Sequence, residues 1–228
     1  MSHCIVRGIP ASHAEGLAAQ ARRLLLLSAL GLVFLGASLV LVFRFSPERL
    51  VGTAVLAAPF LALGGYGFQR YQGEYARAMS GVRAERAVAK VLEATGPAVL
   101  LNGVVLGAGD IDHVVLGPVA VAVETKYGRG RISMDRKGRL VVGTKTLPRD
   151  PVSQAARNAS MLSKRLGVSV TALVVISDGS GQPFSSRGVY VSSLTDLPAV
   201  LRSLPQVLTT VPRSAAALPV ASERPAAV

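Results

Sequence analysis

Three ionisable residues lie in a part of the chain that is otherwise apolar. Asp112 stands at the head of one β-branched run, and Glu124 and Lys126 end the next run, within GDIDHVVLGPVAVAVETKYGRG. Both runs have the composition of buried strands, where an unpaired charge is costly. The three residues therefore need a common partner or a common task.

The spacing of these residues predicts that they share one face of a sheet. Residues two apart in a strand point the same way, so Glu124 and Lys126 lie on one face, which Ala120 continues. Asp112 joins that face, directly across from Glu124, if Leu116 pairs with Ala120. This register requires a connection of three residues between the strands, and we predict that connection.

The predicted pair of carboxylates needs positive charge beside it, because acids about 5 Å apart across a strand pair repel each other. Lys126 supplies part of that charge. Mg²⁺, or Mn²⁺ in its place, suits the site better, since such ions bind one or two carboxylates together with water and phosphate. An ammonium group beside the ion would hold the attacking water. The pattern indicates metal-assisted phosphodiester hydrolysis, and a structural salt-bridged cluster is the alternative.

The same residues match the pattern of a known family. Four motifs carry the match: GVRAERAVAKVL with Glu85, GDIDHVVLGP with Asp112, VAVETKYGRGRI with Glu124 and Lys126, and DPVSQAARNASML with Gln154. In these motifs the chain resembles the nuclease-related domain (NERD) family, a branch of the PD-(D/E)xK nuclease superfamily with an Mrr-like motif. The resemblance extends over residues 81–177.

The resemblance implies the ligands of a metal ion. Asp112 and Glu124 would bind Mg²⁺ or Mn²⁺ through their carboxylates, and the backbone carbonyl of Thr125 would be a third ligand.

The resemblance also implies roles for three residues around the metal. Lys126 would position or activate water, and Gln154 would orient the lysine, the water or the phosphate. Glu85 would be an accessory acid that reaches the site from the first helix of the domain. A helix acid favoured by the macrodipole is the alternative for Glu85, and a solvated first-turn residue is the alternative for Gln154.

A run of basic residues begins directly after Lys126. Between Tyr127 and Arg165 there are ten lysines and arginines against two acids, and the whole chain has a net charge of +12. Such a run fits the phosphate backbone of a nucleic acid, DNA in the first place and with weak sequence preference, and it also fits the anionic inner leaflet of a membrane. The residues predicted to bind nucleic acid are Arg129, Arg131, Arg157 and Lys164.

Two uncharged apolar runs precede this region. The first begins at Leu24 and ends at Phe43, and the second begins at Leu50 and ends at Phe68. A helix of twenty residues spans about 30 Å, the thickness of a bilayer core, and the polar break RFSPER predicts a tight turn between two spans. The full length of the first run favours a membrane span over a signal peptide. Alanines at every fourth position of the second run predict close helix packing.

The distribution of basic residues predicts the orientation of this hairpin. The turn carries fewer lysines and arginines than the two flanks, so both termini and the folded domain are expected in the cytoplasm of a multi-pass cell-membrane protein. The hairpin is also a candidate for homo-oligomer contacts. The predicted segments are a leader (1–23), a transmembrane hairpin (24–68), a linker (69–80), a NERD nuclease-like domain (81–212) and a disordered tail (213–228).

Apolar periodicity over the predicted domain gives the order α-βββ-α-β-β-α, which predicts an α/β mixed sheet flanked by helices. The family resemblance implies that this sheet is restriction-endonuclease-like. Two transmembrane helices are expected to precede it. The single cysteine, Cys4, excludes an internal disulfide and a cysteine-based zinc site. The chain is thus predicted to be a membrane-anchored, Mg²⁺-dependent nuclease. The alternatives are a NERD-fold module that binds nucleic acid without cleaving it, and a membrane-associated scaffold.

Overall fold

The computed structural model describes residues 4–106, 109–207 and 210–221. The chain divides into two compact units. One unit is Ala14–Met79 and consists of apolar helices. The other joins Met1–His13 to Ser80–Val228 and is built around a sheet.

Two long helices carry the predicted membrane spans. Helix α1 covers Ser12–Phe45 and helix α2 covers Leu50–Ala94, with a 3₁₀ turn at Pro47–Arg49 between them. Both helices are long and apolar enough to cross a membrane. Large apolar side chains along them are exposed: Phe34 is 76% exposed and Leu63 is 69% exposed. The core helix of a soluble domain would bury such side chains.

Glycines, rather than the predicted alanines, lie at close contacts between the two helices within the hairpin unit. A Cβ atom added at Gly64 would lie 2.8 Å from the Leu32 side chain, and one at Gly67 would lie 3.4 Å from the Ser28 hydroxyl. The three alanines predicted at this contact, 54, 58 and 62, are exposed. That prediction is wrong because glycine allows a closer approach of the backbones than alanine does.

Helix α2 continues beyond the apolar run without a break. Residues 69–80, predicted as a linker, belong to it, and so does the first helix of the predicted domain, as far as Ala94. Its last turns bury Val88 and Leu92 against the sheet. The helix ends as predicted at Gly96, whose φ of 68° lies in the left-handed region that glycine tolerates.

A mixed sheet forms the core of the second unit and confirms the predicted fold class. Its strands among the described residues are β1 (Ile5–Arg7), β2 (Val99–Leu106), β3 (Gly109–Leu116), β4 (Ala120–Met134), β5 (Leu140–Val142), β6 (Lys145–Thr146), β7 (Thr171–Ser180), β8 (Phe184–Ser186) and β9 (Val189–Ser193). The main order is β1-β2-β3-β4-β7-β9-β8, and β5 and β6 extend from β4. Strands β2, β3 and β4 are antiparallel, whereas β4, β7 and β9 are parallel.

The two faces of the sheet bury different helices. Helix α3 (Pro151–Leu166) packs on one face through residues such as Ala155 and Leu162. The end of α2 and helix α4 (Leu197–Ser203) pack on the other face. Helix α3 also forms the connection between the parallel strands β4 and β7, which a short turn could not make.

The register between β3 and β4 is the one predicted. Leu116 pairs with Ala120, and the pairing continues to His113 opposite Val123. The connection consists of residues 117–119, closed by a 3.0 Å bond from the Gly117 N–H to the Val119 carbonyl. In this register the next opposed positions are Asp112 and Glu124, so the predicted three-residue connection is confirmed.

Segments from both ends of the chain join this sheet, which the sequence did not indicate. Strand β1 lies within the predicted leader and pairs in parallel with β2. Residues 213–221, within the predicted disordered tail, include the 3₁₀ helix Arg213–Ala217 and a bridge between Val104 and Val220. Residues 222–228 of that tail lie outside the described residues.

Asp150 starts α3 and also ties it to the β8–β9 turn. Its carboxylate accepts the Ser153 N–H at 3.4 Å, as an N-cap does, and Pro151 occupies the first helical position. Both guanidinium Nη atoms of Arg187 donate to the same carboxylate at 3.0 Å. These bonds to Arg187 and Ser153 lower the pKa of Asp150 to about 2.

We expect Asp150→Ala to lower the free energy of unfolding by about 1–2 kcal/mol, because the helix loses its N-cap. The effect is present above about pH 4, the usual pKa of aspartate, and is lost as the pH falls to about 2, since the folded-state pKa is depressed. Chemical denaturation across this pH range measures it. Asp178→Ala, at an exposed ion pair, is the control and should change stability by less than about 1 kcal/mol.

Candidate active site

The end of the β3–β4 pairing brings Asp112 against the backbone of β4. Beyond His113 and Val123 the Asp112 carboxylate accepts the N–H of Thr125 at 2.6 Å, in place of a further ladder bond. The side chain therefore has a fixed position at the point where the two strands separate. Burial raises the pKa of Asp112, although Lys126 and this N–H oppose the effect.

Glu124 and Lys126 lie together on the same face of β4. The Lys126 ammonium donates to Glu124 Oε1 at 2.5 Å, and the Glu124 side chain is only 1% exposed. Burial, followed by Asp112, raises the pKa of Glu124 to about 7, against the effect of Lys126. Burial lowers the pKa of Lys126, but the Glu124 and Asp112 carboxylates outweigh burial and raise it.

Glu85 reaches the same group of charges from α2. Burial and then the Asp112 carboxyl raise the pKa of Glu85 to about 8, with Glu124 adding to the rise and Lys126 opposing it. The structure therefore brings Glu85, Asp112, Glu124 and Lys126 within electrostatic range of one another, as the sequence predicts. Three acids so placed repel each other, and partial protonation is the response of the protein without a cation.

One turn of α3 beyond Gln154 approaches the strand that carries Asp112. The Asn158 side-chain amide donates to the Asp110 carbonyl at 3.3 Å, and Asn158 is buried. Gln154 lies four residues before Asn158, so both occupy one stripe of the helix. The stripe thus borders the site, while the predicted role of Gln154 stays a prediction.

The four basic residues predicted to bind nucleic acid are exposed. Arg129 and Arg131 follow Lys126 on β4, where the register with β7 shifts between Lys126 and Arg129. Such a bulge bends a strand and re-aims its side chains, often beside an active site. The other two, Arg157 and Lys164, are seven residues apart on α3 and share one of its faces.

His113 is a core residue, as the alternation of β3 predicts. It is fully buried, and its Nδ1 lies 2.7 Å from the Asn102 side-chain oxygen. Burial lowers the pKa of His113 to about 3, so the ring is neutral at physiological pH. The neighbour of Asp112 along the chain is therefore a structural residue of the sheet.

Two residues of the N-terminal segment affect these acids and were not predicted from the sequence. The backbone N–H of Ala11 opposes the rise of the Glu85 pKa. His13 interacts electrostatically with Asp112 and opposes the rise of its pKa. Both residues precede the first apolar run, and neither has a neighbouring motif that would have indicated a site.

The residues present fit a divalent cation in their chemistry. Within residues 4–106, 109–207 and 210–221, no three His, Cys, Asp or Glu side chains form a complete ligand cluster. Two carboxylates with water and phosphate oxygens are sufficient for Mg²⁺, however. Glu124 Oε2 is buried and has no hydrogen-bond partner in the described part of the chain, so it offers an open ligand atom. The backbone carbonyl of Thr125 stays a prediction as the third ligand.

We expect Glu85→Gln to remove a pH-dependent loss of stability. The favourable effect of the protonated Glu85 carboxyl is complete below about pH 4.5 and is lost as the pH rises through about 8, because the folded-state pKa is raised. In EDTA, the melting temperature of the variant should therefore rise relative to wild type between about pH 6 and pH 9. Parallel curves for the two proteins would contradict this, and Glu93→Gln, on the exposed side of α2, is the control.

One comparison with known proteins gave a match that covers this part of the chain. Residues 80–177 match the nuclease-related domain (NERD) family, and the match contains Glu85, Asp112, Glu124, Lys126 and Gln154. Searches of curated proteins and of solved structures gave no match. The chain therefore carries a nuclease-related domain over residues 80–177, preceded by two helices that are long and apolar enough to span a membrane.

Proposed function

We propose that this protein is a membrane-anchored nuclease whose domain hydrolyses phosphodiester bonds of nucleic acid with Mg²⁺ or Mn²⁺. The register of β3 and β4 is the observation that carries the proposal. It places the Asp112 carboxylate on the Thr125 N–H, next to the Glu124–Lys126 pair. A buried cluster of this kind gains little stability for the fold, since desolvation offsets the attraction of the charges. A catalytic role accounts better for its presence.

Asp112 and Glu124 would hold the cation, with the Thr125 carbonyl as a further ligand. The bound cation supplies Lewis-acid activation of the phosphate and lowers the pKa of water. The Lys126 ammonium, held by Glu124 Oε1, would orient the water and offset the charge that develops on the phosphate. The water oxygen would form a bond to phosphorus as the bond to the leaving oxygen breaks, and the leaving oxygen would take up the proton that the water gives up.

The exposed basic residues support nucleic acid as the substrate. Arg129 and Arg131 lie on β4 beyond Lys126, and Arg129 has a side chain that is 83% exposed. Arg157 and Lys164 add positive charge on α3. Contacts of such side chains with phosphates give affinity without reading bases, so we propose DNA as the substrate, with weak sequence preference.

We expect the purified full-length chain, in detergent or nanodiscs, to cleave DNA with Mg²⁺ or Mn²⁺ and not with EDTA. Asp112→Asn and Lys126→Ala should each reduce cleavage by about 10²-fold or more, because the first removes a ligand of the cation and the second removes a charge that offsets the one developing on the phosphate. Gel assays on duplex DNA, single-stranded DNA and RNA measure the rate. Glu93→Gln is the control, because that acid is exposed on α2.

Other outcomes of this assay would point away from catalysis. Binding with a steep salt dependence and no cleavage would favour a NERD-fold module that binds nucleic acid. A preference for anionic liposomes over nucleic acid would favour a membrane scaffold. Cleavage that persists in Asp112→Asn would contradict the roles given to these residues.

We also propose that both termini and the nuclease-related domain lie in the cytoplasm, with the Pro47–Arg49 turn outside. The test uses a Cys4→Ser background and single cysteines at Ser46 and Lys137. A membrane-impermeant maleimide should label Ser46→Cys in intact cells and Lys137→Cys only after the membrane is opened. Labelling in the reverse order would refute this orientation, and labelling of both in intact cells would refute the hairpin.

A further inference from the structure

A cavity of about 650 Å³ lies on the face of the sheet that α4 covers, within the unit that carries the nuclease-related domain. Three segments line it: the end of α2 with Gly96 and Pro97 after it, the β3–β4 connection 117–119, and α4 with the residues that follow it as far as Gln206. Small-molecule sites have volumes of about 300–1,000 Å³. The acids of the candidate active site are not among the described residues that line this cavity, so it is a separate place in the fold.

The floor of the cavity is apolar. Val115, Leu201 and Leu204 are buried there, and Val91 and Val119 are partly buried against the same core cluster. Burial of apolar surface is favourable in proportion to the area removed from water, so this lining suits a hydrocarbon chain. A wholly polar ligand would gain nothing from these side chains.

Two basic side chains line the same cavity and are exposed, Lys90 on α2 and Arg202 on α4. No Asp or Glu is among the described residues that line it. Both helices end at the cavity, and a helix C-terminus carries roughly half a negative charge. Two full positive charges outweigh these partial charges, so the rim of the cavity favours an anion.

We propose that this cavity binds a single-chain anionic amphiphile, a long-chain fatty acid, with its chain on the apolar floor and its carboxylate at Lys90 and Arg202. A phospholipid with two chains is larger than the ligands that cavities of this size enclose. Two helices that are long and apolar enough to span a membrane favour a ligand that a bilayer supplies. The inference goes beyond the proposed function and does not depend on it.

The ligand would also contact the connection that sets the register of β3 and β4. Gly117 and Val119 line the cavity, and the Val207 N–H donates to the Pro118 carbonyl at 2.9 Å, which joins the connection to the segment after α4. A ligand bound between these two segments stabilises the closed arrangement. Palmitate should therefore slow hydrogen–deuterium exchange of the Val207 amide, and unchanged exchange would contradict binding at this place.

Photolabelling of the full-length chain tests the site directly. The probe is a long-chain fatty acid with a diazirine near the end of its chain, added to the protein in nanodiscs of neutral phosphatidylcholine. We expect saturable labelling of residues that line the cavity, identified by peptide mass spectrometry, whereas probe dissolved in the bilayer labels only the hairpin helices. Absence of label from all three lining segments would overturn the inference.

Two variants test the head and the chain of the ligand separately. Lys90→Gln combined with Arg202→Gln should raise the probe concentration that half-saturates the cavity about tenfold, because the carboxylate loses both charged partners, and should leave labelling by the methyl ester of the probe unchanged. Ala94→Trp fills the cavity from the exposed end of α2 and should abolish labelling there by acid and ester alike. Arg136→Gln combined with Lys137→Gln, in the exposed β4–β5 turn, is the control with the same loss of charge.

The outcomes separate this inference from the proposed function. Equal half-saturation in wild type and in the Lys90 and Arg202 double variant, or equal half-saturation by the acid and its ester in wild type, would overturn the inference. If Ala94→Trp is unfolded by circular dichroism, the double variant still decides the test, since both of its positions are exposed and the apolar floor stays intact. Cleavage of DNA is not a readout, so failure of this inference leaves the nuclease unaffected, and failure of the nuclease leaves this site unaffected.

Discussion

The antiparallel pairing of β3 with β4 determines where the charged groups of this domain lie. Each side chain of a strand alternates between the two faces, so a slip of one residue would move Asp112 to the other side of the sheet from Glu124. The connection 117–119 fixes the pairing of Leu116 with Ala120, and Asp112 then meets the Thr125 N–H at the open end of the strands. The register that groups the acids is therefore set by a turn at the other end of this strand pair.

This arrangement conflicts with the stability of the apolar core around it. Glu124 is almost completely buried in a face that α3 covers with small and branched side chains. Its bond to Lys126 satisfies one carboxylate oxygen and leaves the other without a partner in the described part of the chain. Raised pKa values of the three acids are the sign of that conflict, and a bound cation would relieve it.

Local patterns predicted much of this structure from the sequence. The alternation of β3 and β4 and the short connection between them were sufficient to predict which face of the sheet Asp112 occupies. The alternation of β3 was also sufficient to predict that His113 is buried. Contacts between distant parts of the chain were not predictable in this way. Strand β1 has three residues, too few for a periodic pattern, and its pairing with β2 joins residues more than ninety positions apart. The effect of Ala11 on the pKa of Glu85 was missed as well.

The helices also show what periodicity in the sequence does not predict. Residues 69–80 lie between the second apolar run and the predicted domain and were predicted as a linker, although they continue α2. In the hairpin, the regular spacing of the alanines predicted a packing face. A close contact between the two helices lies instead at Gly64, which has no side chain. Periodicity identifies which residues are apolar, while close approach depends on steric detail that periodicity does not contain.

The parallel pairing of β1 has a practical consequence for how the domain is prepared. A soluble fragment cut at residue 80, where the family match begins, would lack the strand that covers the outer edge of β2. The N–H and C=O groups of β2 would then be free to pair with strands of other molecules. Such pairing is the usual origin of edge-to-edge aggregation. Supplying residues 4–11 in trans as a peptide, or fusing them through a flexible linker, would restore a covered edge without the apolar hairpin.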